Sequence, residues 1–177
     1  MFVYKNRIKS YKKICEDLIH VFESNANKMV ENNRGRVMTS VFLKRHDPVL
    51  KEYFTELLKI KDQYIDKYKF INYGQKPWNI SNTVKIQKYT PGQSYYAWHA
   101  EVAGGSIDEM KRILVYSTFL NDIKEGGETE FYYQKQKIKP KQGRTILFPS
   151  IWTHTHKGLP APKETKYIIT GWYSYAH

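Results

Sequence analysis

The chain has 177 residues and a mass of 21.1 kDa, enough for one domain with its own core and short for two. Hydrophobic residues make up 41% and charged residues 26%, with 15 tyrosines, 8 phenylalanines and 4 tryptophans, which excludes a disordered or low-complexity chain. The net charge of +12 favours attraction to polyanions, but it divides into +7 over residues 1–80 and +5 over residues 81–177, which excludes a concentrated nucleic-acid-binding tail.

The start, MFVYKNRIKSYKKICEDLIHVFE, never reaches the apolar run of a signal peptide, and no stretch of about 18 apolar residues offers a membrane span, so cytoplasmic residence is expected. Residues 9–24 place Tyr11, Ile14, Cys15, Leu18, Val21 and Phe22 at three-to-four spacing among Lys12, Lys13, Glu16, Asp17 and Glu23. That spacing predicts an amphipathic helix suited to covering a sheet. Asp47-Pro48 reads as an N-cap with proline at the first helical position, opening a helix to about residue 68 that carries Leu50, Phe54, Leu57, Leu58, Tyr64, Ile65 and Tyr68. Residues 1–70 are therefore read as a helical scaffold. The segment INYGQKPWNI, residues 71–80, joins the two parts of the chain and is placed to reach over the mouth of a barrel.

From about residue 82 the pattern changes to short β-branched and aromatic runs: NTVKIQKYT, KRILVYSTFL, ETEFYYQKQKIKP, GRTILFPS and KYIITGWYSY, each read as a strand. Turns fall at PGQS, DIKEGG, KPKQG and KGLPAPKE. Short strands without long helices between them predict antiparallel sheets closed into a sandwich or barrel over residues 82–177, with the helices on one outer face. The fold class is mainly β (α+β), in a single domain spanning 1–177. Lys135, Lys137, Lys139 and Lys141 alternate, so one strand face is expected to be solvated.

The single cysteine, Cys15, excludes an intramolecular disulfide framework, a cysteine-rich zinc finger and an iron–sulfur cluster held within one chain. Any metal must be held by nitrogen and oxygen. His99 and Glu101 are one residue apart, so at a strand end their side chains share a face and offer one nitrogen and one carboxylate. The second histidine cluster, Thr153-His154-Thr155-His156, follows the run GRTILFPS, where another strand end can supply a third ligand. Two histidines and one carboxylate form the facial set suited to non-haem Fe(II), with half of the octahedron left open.

Further landmarks follow in order: Tyr89, Gly92, Tyr95 and His99-Ala100-Glu101, then Arg112 with Phe119-Leu120-Asn121, then Gly126-Gly127-Glu128-Thr129-Glu130-Phe131. Pro140, Gly143, Leu147 and Phe148 precede His156, Pro160, Lys166 and Trp172. In this order residues 87–172 resemble the Fe(II)/2-oxoglutarate-dependent dioxygenases of the prolyl 4-hydroxylase-like branch. The resemblance implies a double-stranded β-helix, or jelly roll, flanked by N-terminal helices. It implies Fe(II) as metal, 2-oxoglutarate and dioxygen as cosubstrates, and it admits ascorbate. The implied metal ligands are His99, Glu101 and His156. Lys166 would pair with the distal carboxylate of 2-oxoglutarate, Tyr89 would add a hydrogen bond to it, and Tyr95 and Trp172 would complete the cofactor-binding set. No catalytic side chain beyond the metal centre is implied.

Two points depart from the pattern or need a choice. The family usually has aspartate where this chain has Glu101; the added methylene moves the carboxylate by roughly an ångström, where metal–oxygen distances tolerate about 0.2 Å. Iron binding with a slightly rearranged ligand strand is expected, and a halogenase-like reading is disfavoured. His154 and His156 compete for the distal ligand position, and spacing to Pro160 and Lys166 favours His156.

The implied activity is hydroxylation of a prolyl residue in a peptide or protein, coupled to decarboxylation of 2-oxoglutarate to succinate. A free amino acid or other small molecule is the alternative substrate, and a non-catalytic basic jelly-roll binding module is the alternative of a different class. A nucleic-acid substrate is disfavoured, and no membrane partner is expected. Residues 102–110, VAGGSIDEM, and the QKPWN segment with Trp78 are candidate gates. Oligomeric state is left open.

Overall fold

The computed structural model describes residues 1–33, 35–73 and 76–176. In chain order it has β1 (Tyr4–Arg7), α1 (Tyr11–Ser24), β2 (Met29–Asn33), β3 (Arg36–Lys44), α2 (Lys51–Lys67), β4 (Trp78–Ile80) and β5 (Thr83–Tyr89). Then follow α3 (Ile107–Met110), β6 (Arg112–Phe119), β7 (Thr129–Phe131), β8 (Gln136–Ile138), β9 (Arg144–Pro149), β10 (His156–Gly158) and β11 (Lys166–Tyr175). The large sheet runs β1-β9-β6-β11-β5-β3-β2, with β4 added to β11; the small sheet runs β10-β7-β8. Every pairing is antiparallel. Two facing antiparallel sheets with helices outside make the double-stranded β-helix that the resemblance implied.

The two-residue period of the strands divides the large sheet into two chemically different faces. Odd positions of β11, Ile169 and Tyr173, join Val84, Ile86, Leu114, Tyr116 and Leu147 in a core closed by the helices. Into it α1 buries Ile14, Cys15, Leu18 and Phe22, and α2 buries Tyr53, Leu57, Ile60 and Tyr64. The even positions of β11 face the small sheet, where Val115, Phe119, Phe131, Ile138, Ile146 and Phe148 form a second, smaller core. The helix of residues 47–68 starts as expected: Asp47 accepts a hydrogen bond from the Val49 N–H at 3.1 Å, and a short 3-10 turn at Pro48–Leu50 leads into α2.

Three expectations need correction. Residues 1–70 are not helical throughout, because β1, β2 and β3 lie among them and β3 supplies nine residues to the large sheet. The run ETEFYYQKQKIKP is not one strand. It folds back as the β7–β8 hairpin, with Lys135 at φ 51°, a turn conformation that ends any straight strand. Residues 78–80 do not cover the barrel mouth but pair with Tyr173–Tyr175, where Trp78 packs edge-on against Tyr173 on the helix side. The remainder of that segment includes Gly74 and Gln75, which lie outside the described residues. Lys135, Lys137, Lys139 and Lys141 are exposed as expected.

Candidate metal centre

His99, Glu101 and His156 come together at the open edge between the two sheets, each offering a ligand atom within 4.8 Å of the others. The pairing is fixed by backbone: the N–H of His99 donates to the His156 carbonyl at 3.0 Å, and the N–H of His156 to the His99 carbonyl at 2.9 Å. The N–H of Glu101 is held by the Ser150 carbonyl at 3.0 Å. Each imidazole is oriented from behind. His99 Nδ1 lies 2.9 Å from the Ala97 carbonyl and His156 Nδ1 lies 3.0 Å from the His154 carbonyl. A carbonyl only accepts, so each Nδ1 carries the proton and each Nε2 turns inward. Tyr95 stacks on His99 at 3.6 Å and 6°, fixing the plane of that ring.

Glu101 Oε1 lies 3.5 Å from His156 Nε2 and 3.7 Å from His99 Nε2. Its other oxygen accepts from Trp172 Nε1 at 3.0 Å, and the Arg112 guanidinium stacks 3.8 Å from the centroid of Trp172. Arg112 also donates to the Glu101 carbonyl at 2.9 Å. A carboxylate oxygen facing two inward Nε2 lone pairs is unfavourable unless a cation lies between them. Two imidazoles and one carboxylate suit a divalent first-row metal such as iron(II), and the pre-set tautomers are what such a metal needs.

The group borders a cavity of about 500 Å³ lined by both sheets, among others by Tyr89, Tyr95, Thr129, Ser117, Thr170 and Trp172. Lys166 projects into it and is 3% exposed. Its ammonium donates to the carbonyls of Gly127 at 3.2 Å and Leu159 at 3.4 Å and lies 4.7 Å from the centroid of the Tyr89 ring. Burial pulls its pKa from 10.5 down to about 8, with Glu128 opposing the shift. No carboxylate pairs with Lys166 among the described residues. A buried ammonium whose partners are neutral fits an incoming carboxylate such as that of 2-oxoglutarate.

Gly127, whose carbonyl accepts from Lys166, sits at φ 76°, and a Cβ there would lie 3.2 Å from Pro140 and 3.3 Å from Ile123. His154 is not in the metal group. Its Nε2 lies 3.2 Å from the Met1 carbonyl and its Nδ1 3.0 Å from Thr153 Oγ1. Of the candidate gates, residues 102–110 border the cavity through Ala103, Gly105 and Glu109, whereas Trp78 lies on the opposite sheet face. Sequence reasoning missed Arg36, Lys85 and Gln87 on the cavity wall. Lys85 pairs with Glu31 at 2.7 Å, and Arg36 lies 5.5 Å from the Tyr95 ring centroid. The strand-forming residues Val37, Thr39, Val41 and Phe42 in RVMTSVFLK were the signal that places Arg36 on a strand.

This wall, with a His-Glu-His group at one side and a buried lysine in its depth, defines a metal- and carboxylate-binding jelly roll. Residues 84–174 match the family model of the 2OG-Fe(II) oxygenase superfamily, and the chain belongs to that family. It is similar to prolyl 4-hydroxylase 13 of Arabidopsis thaliana, 27% identical over 122 residues, which cover 54% of this chain and 44% of that relative. The chain thus spans less than half the length of that relative. Among solved structures it is similar to a viral collagen prolyl hydroxylase from Paramecium Bursaria Chlorella virus-1 bound to 2OG. The TM-score is 0.74 at 22% identity, covering 99% of this chain and 97% of that one. A prolyl hydroxylase from Trichoplax adhaerens, in complex with a hypoxia inducible factor peptide fragment, matches with TM-score 0.72 at 19% identity, covering 98% and 83%.

Proposed function

We propose that the protein hydroxylates a prolyl residue in a peptide or protein, with 2-oxoglutarate decarboxylated to succinate. The observation that carries this reading is the convergence of His99, Glu101 and His156 beside a cavity that holds the unpaired ammonium of Lys166. Iron(II), with 2-oxoglutarate and dioxygen, supplies the oxidising chemistry at an unactivated C–H bond. In this reading His99, Glu101 and His156 hold the metal, and the carbonyls of Ala97 and His154 keep both imidazoles in the ligating tautomer. Trp172 holds one oxygen of Glu101 and so directs the other toward the metal. Lys166 binds the distal carboxylate of the cosubstrate, Tyr89 walls the site beneath the ammonium, and Tyr95 keeps His99 in plane. The apolar side chains of Val115, Phe119, Ile146 and Phe148 exclude water that would waste the cosubstrate.

Glu101 takes the aspartate's role in this account. Trp172 Nε1 holds its Oε2 at 3.0 Å while its Oε1 stays 3.5 Å and 3.7 Å from the Nε2 atoms of His156 and His99. The named prolyl hydroxylases, one of them bound to a peptide fragment, favour a polypeptide substrate over a free amino acid. No helix among the described residues is long and apolar enough to cross a membrane. We place the activity in the cytoplasm, a reading compatible with a chain whose single cysteine, Cys15, leaves it without an intramolecular disulfide. The test is turnover of 2-oxoglutarate with proline-containing peptides, read by mass spectrometry. A gain of one oxygen on proline in the parent, lost in Lys166→Met, supports the reading; oxidation confined to free amino acids contradicts it.

A further inference from the structure

The β1 edge of the large sheet carries a group of cations that the metal site does not use. Lys5, Arg7, Lys141 and Arg144 line an open hollow of about 540 Å³ together with Asn6 and Asp122. None of the four pairs with a carboxylate among the described residues. Asp122, the one acid in the lining, accepts the Gln142 N–H at 2.8 Å. Four cations against one carboxylate leave three positive charges in a space about 10 Å across, close to the screening length of physiological salt, so their mutual repulsion persists. We propose that this hollow binds a polyphosphate group, either free or at the end of a nucleotide. It shares no lining residue with the cavity beside the metal group, so the site is independent of the hydroxylase reading.

Strand register separates this group from an ordinary basic surface. In the β1–β9 pairing Arg7 stands directly opposite Arg144, and Lys5 stands opposite Ile146 two residues along on the same face. Like charges directly opposite on antiparallel strands, with Cβ atoms about 4.5–5.5 Å apart, destabilise the pairing. An anion held by both reverses that sign. The two guanidiniums are also fixed in place. Arg7 Nε donates to the Gln142 carbonyl at 2.8 Å, and its guanidinium lies 3.7 Å from the Tyr11 ring centroid. Arg144 Nη1 donates to the Lys139 carbonyl at 2.6 Å. The turn that supplies these carbonyls is itself tied down: the Ile8 N–H donates to the Gly143 carbonyl at 3.1 Å and the Gly143 N–H to the Phe119 carbonyl at 2.8 Å. Gly143 has φ 76°, and a Cβ there would lie 2.3 Å from Tyr11 Cβ, so only glycine lets the turn close on α1. Donors ordered in advance lose little entropy when a ligand arrives.

The charge count and the lining select the ligand class. A guanidinium fork matches phosphate oxygens two at a time, and the flanking lysines add point charges. A monophosphate brings at most about two negative charges at neutral pH, so a chain of two or three phosphates is what balances the three uncompensated cations. An extended acidic polypeptide advances about 3.3 Å per residue and turns successive carboxylates to opposite sides, so it delivers fewer charges into the same hollow. The lining offers no aromatic or apolar side chain to hold a base, and the neighbouring ring of Tyr11 already carries the Arg7 guanidinium. Recognition therefore stops at the phosphates.

The test titrates the full chain, without added metal, with sodium tripolyphosphate by calorimetry at constant ionic strength. Parallel titrations use adenosine triphosphate, adenosine monophosphate and hexaglutamate. Two double variants alter the hollow, Arg7→Gln/Arg144→Gln and Lys5→Gln/Lys141→Gln. Lys51→Gln/Lys69→Gln removes the same charge from exposed positions outside it, and Lys166→Met removes the cation of the other cavity. The expected result is one tripolyphosphate per chain, bound about tenfold or more weakly by the arginine variant and about threefold or more weakly by the lysine variant. Lys51→Gln/Lys69→Gln and Lys166→Met should bind as the parent does, and monophosphate and hexaglutamate should bind at least about tenfold more weakly than tripolyphosphate. Should the arginine variant fail to fold, the lysine variant carries the test. Equal affinity for tripolyphosphate and adenosine triphosphate supports recognition of the phosphate chain from either source, and tighter binding of the nucleotide makes the nucleotide the source. No measurable tripolyphosphate binding overturns the proposal. So does equal weakening by all three charge-removing pairs, which would show attraction to the net charge alone. Loss of binding in Lys166→Met would put the anion in the metal-site cavity, and hexaglutamate binding as tightly as tripolyphosphate would assign the hollow to an acidic polypeptide; both overturn it.

Discussion

At the scale of single residues, the site depends on two side chains whose partners are unusual. Trp172 gives its indole N–H to Glu101 Oε2, so Trp172→Phe keeps an aromatic ring and removes the donor. We expect metal affinity to fall by about tenfold or more, measured by calorimetric titration with manganese(II), while the thermal midpoint changes little. Lys166 is a buried base with a pKa near 8 against an ordinary 10.5. Between those values the unfolded chain binds more protons than the folded one, so this group's contribution to stability increases as pH rises through the window. Cosubstrate binding has the opposite sign, because the carboxylate needs the protonated form. The KM for 2-oxoglutarate should therefore climb above about pH 8 in the parent, and Lys166→Arg, if it retains binding, should flatten that climb. Burial is the main cause of that shift and Glu128 opposes it, while Tyr89, buried and pushed up by that burial, stays neutral across the range. An unchanged KM between pH 7 and 9.5 would refute the assignment. The candidates His99, Glu101 and His156 were legible in the sequence through the His-x-Glu spacing and the Thr-His-Thr-His cluster, and Lys166 only through its place ten residues after His156. The Trp172–Glu101 contact was not, since it joins residues 71 apart whose meeting depends on sheet register.

At the scale of elements, β11 is the strand on which both halves of the molecule depend, with even residues toward the cavity and odd residues toward the helices. Gly171 has no room for a side chain: a Cβ there would lie 2.1 Å from the Tyr116 hydroxyl. Gly171→Ala should cost about 1–3 kcal/mol, read as a lowered urea midpoint. That hydroxyl is itself buried with no hydrogen-bond partner among the described residues. Tyr116→Phe removes the unsatisfied group and should raise the thermal midpoint by about 2–4 °C. A drop instead would show that the hydroxyl is satisfied. The helices α1 and α2 were readable from apolar spacing, and β5, β6, β9 and β11 from runs of β-branched and aromatic residues between turn signals, whereas the short α3 and β10 were not. The β7–β8 hairpin was not, because Tyr132 and Tyr133 are β-forming residues placed in a turn. The tyrosines there are exposed and pack on each other, so residue preference for strands misleads where no sheet face is buried.

At the scale of the whole molecule, a helix-backed sheet carries the His99, Glu101 and His156 group at its open edge, with the buried ammonium of Lys166 inside the cavity. The first 44 residues matter more to this plan than their helical periodicity suggested, since β1 and β3 widen the large sheet on either side and Arg36 reaches the cavity wall. Such long-range pairings leave only short runs of strand-forming residues in the sequence, which a neighbouring strong helix signal obscures. The central claim is that His99, Glu101 and His156 hold iron(II) next to the 2-oxoglutarate bound by Lys166. The most direct measurement is an anaerobic titration of metal-free protein with iron(II) and 2-oxoglutarate, following the weak visible absorption of cosubstrate chelated to iron. The band should appear in the parent and in His154→Ala and be lost in His99→Ala and His156→Ala. Folded parent protein that shows neither the band nor iron binding would contradict the account.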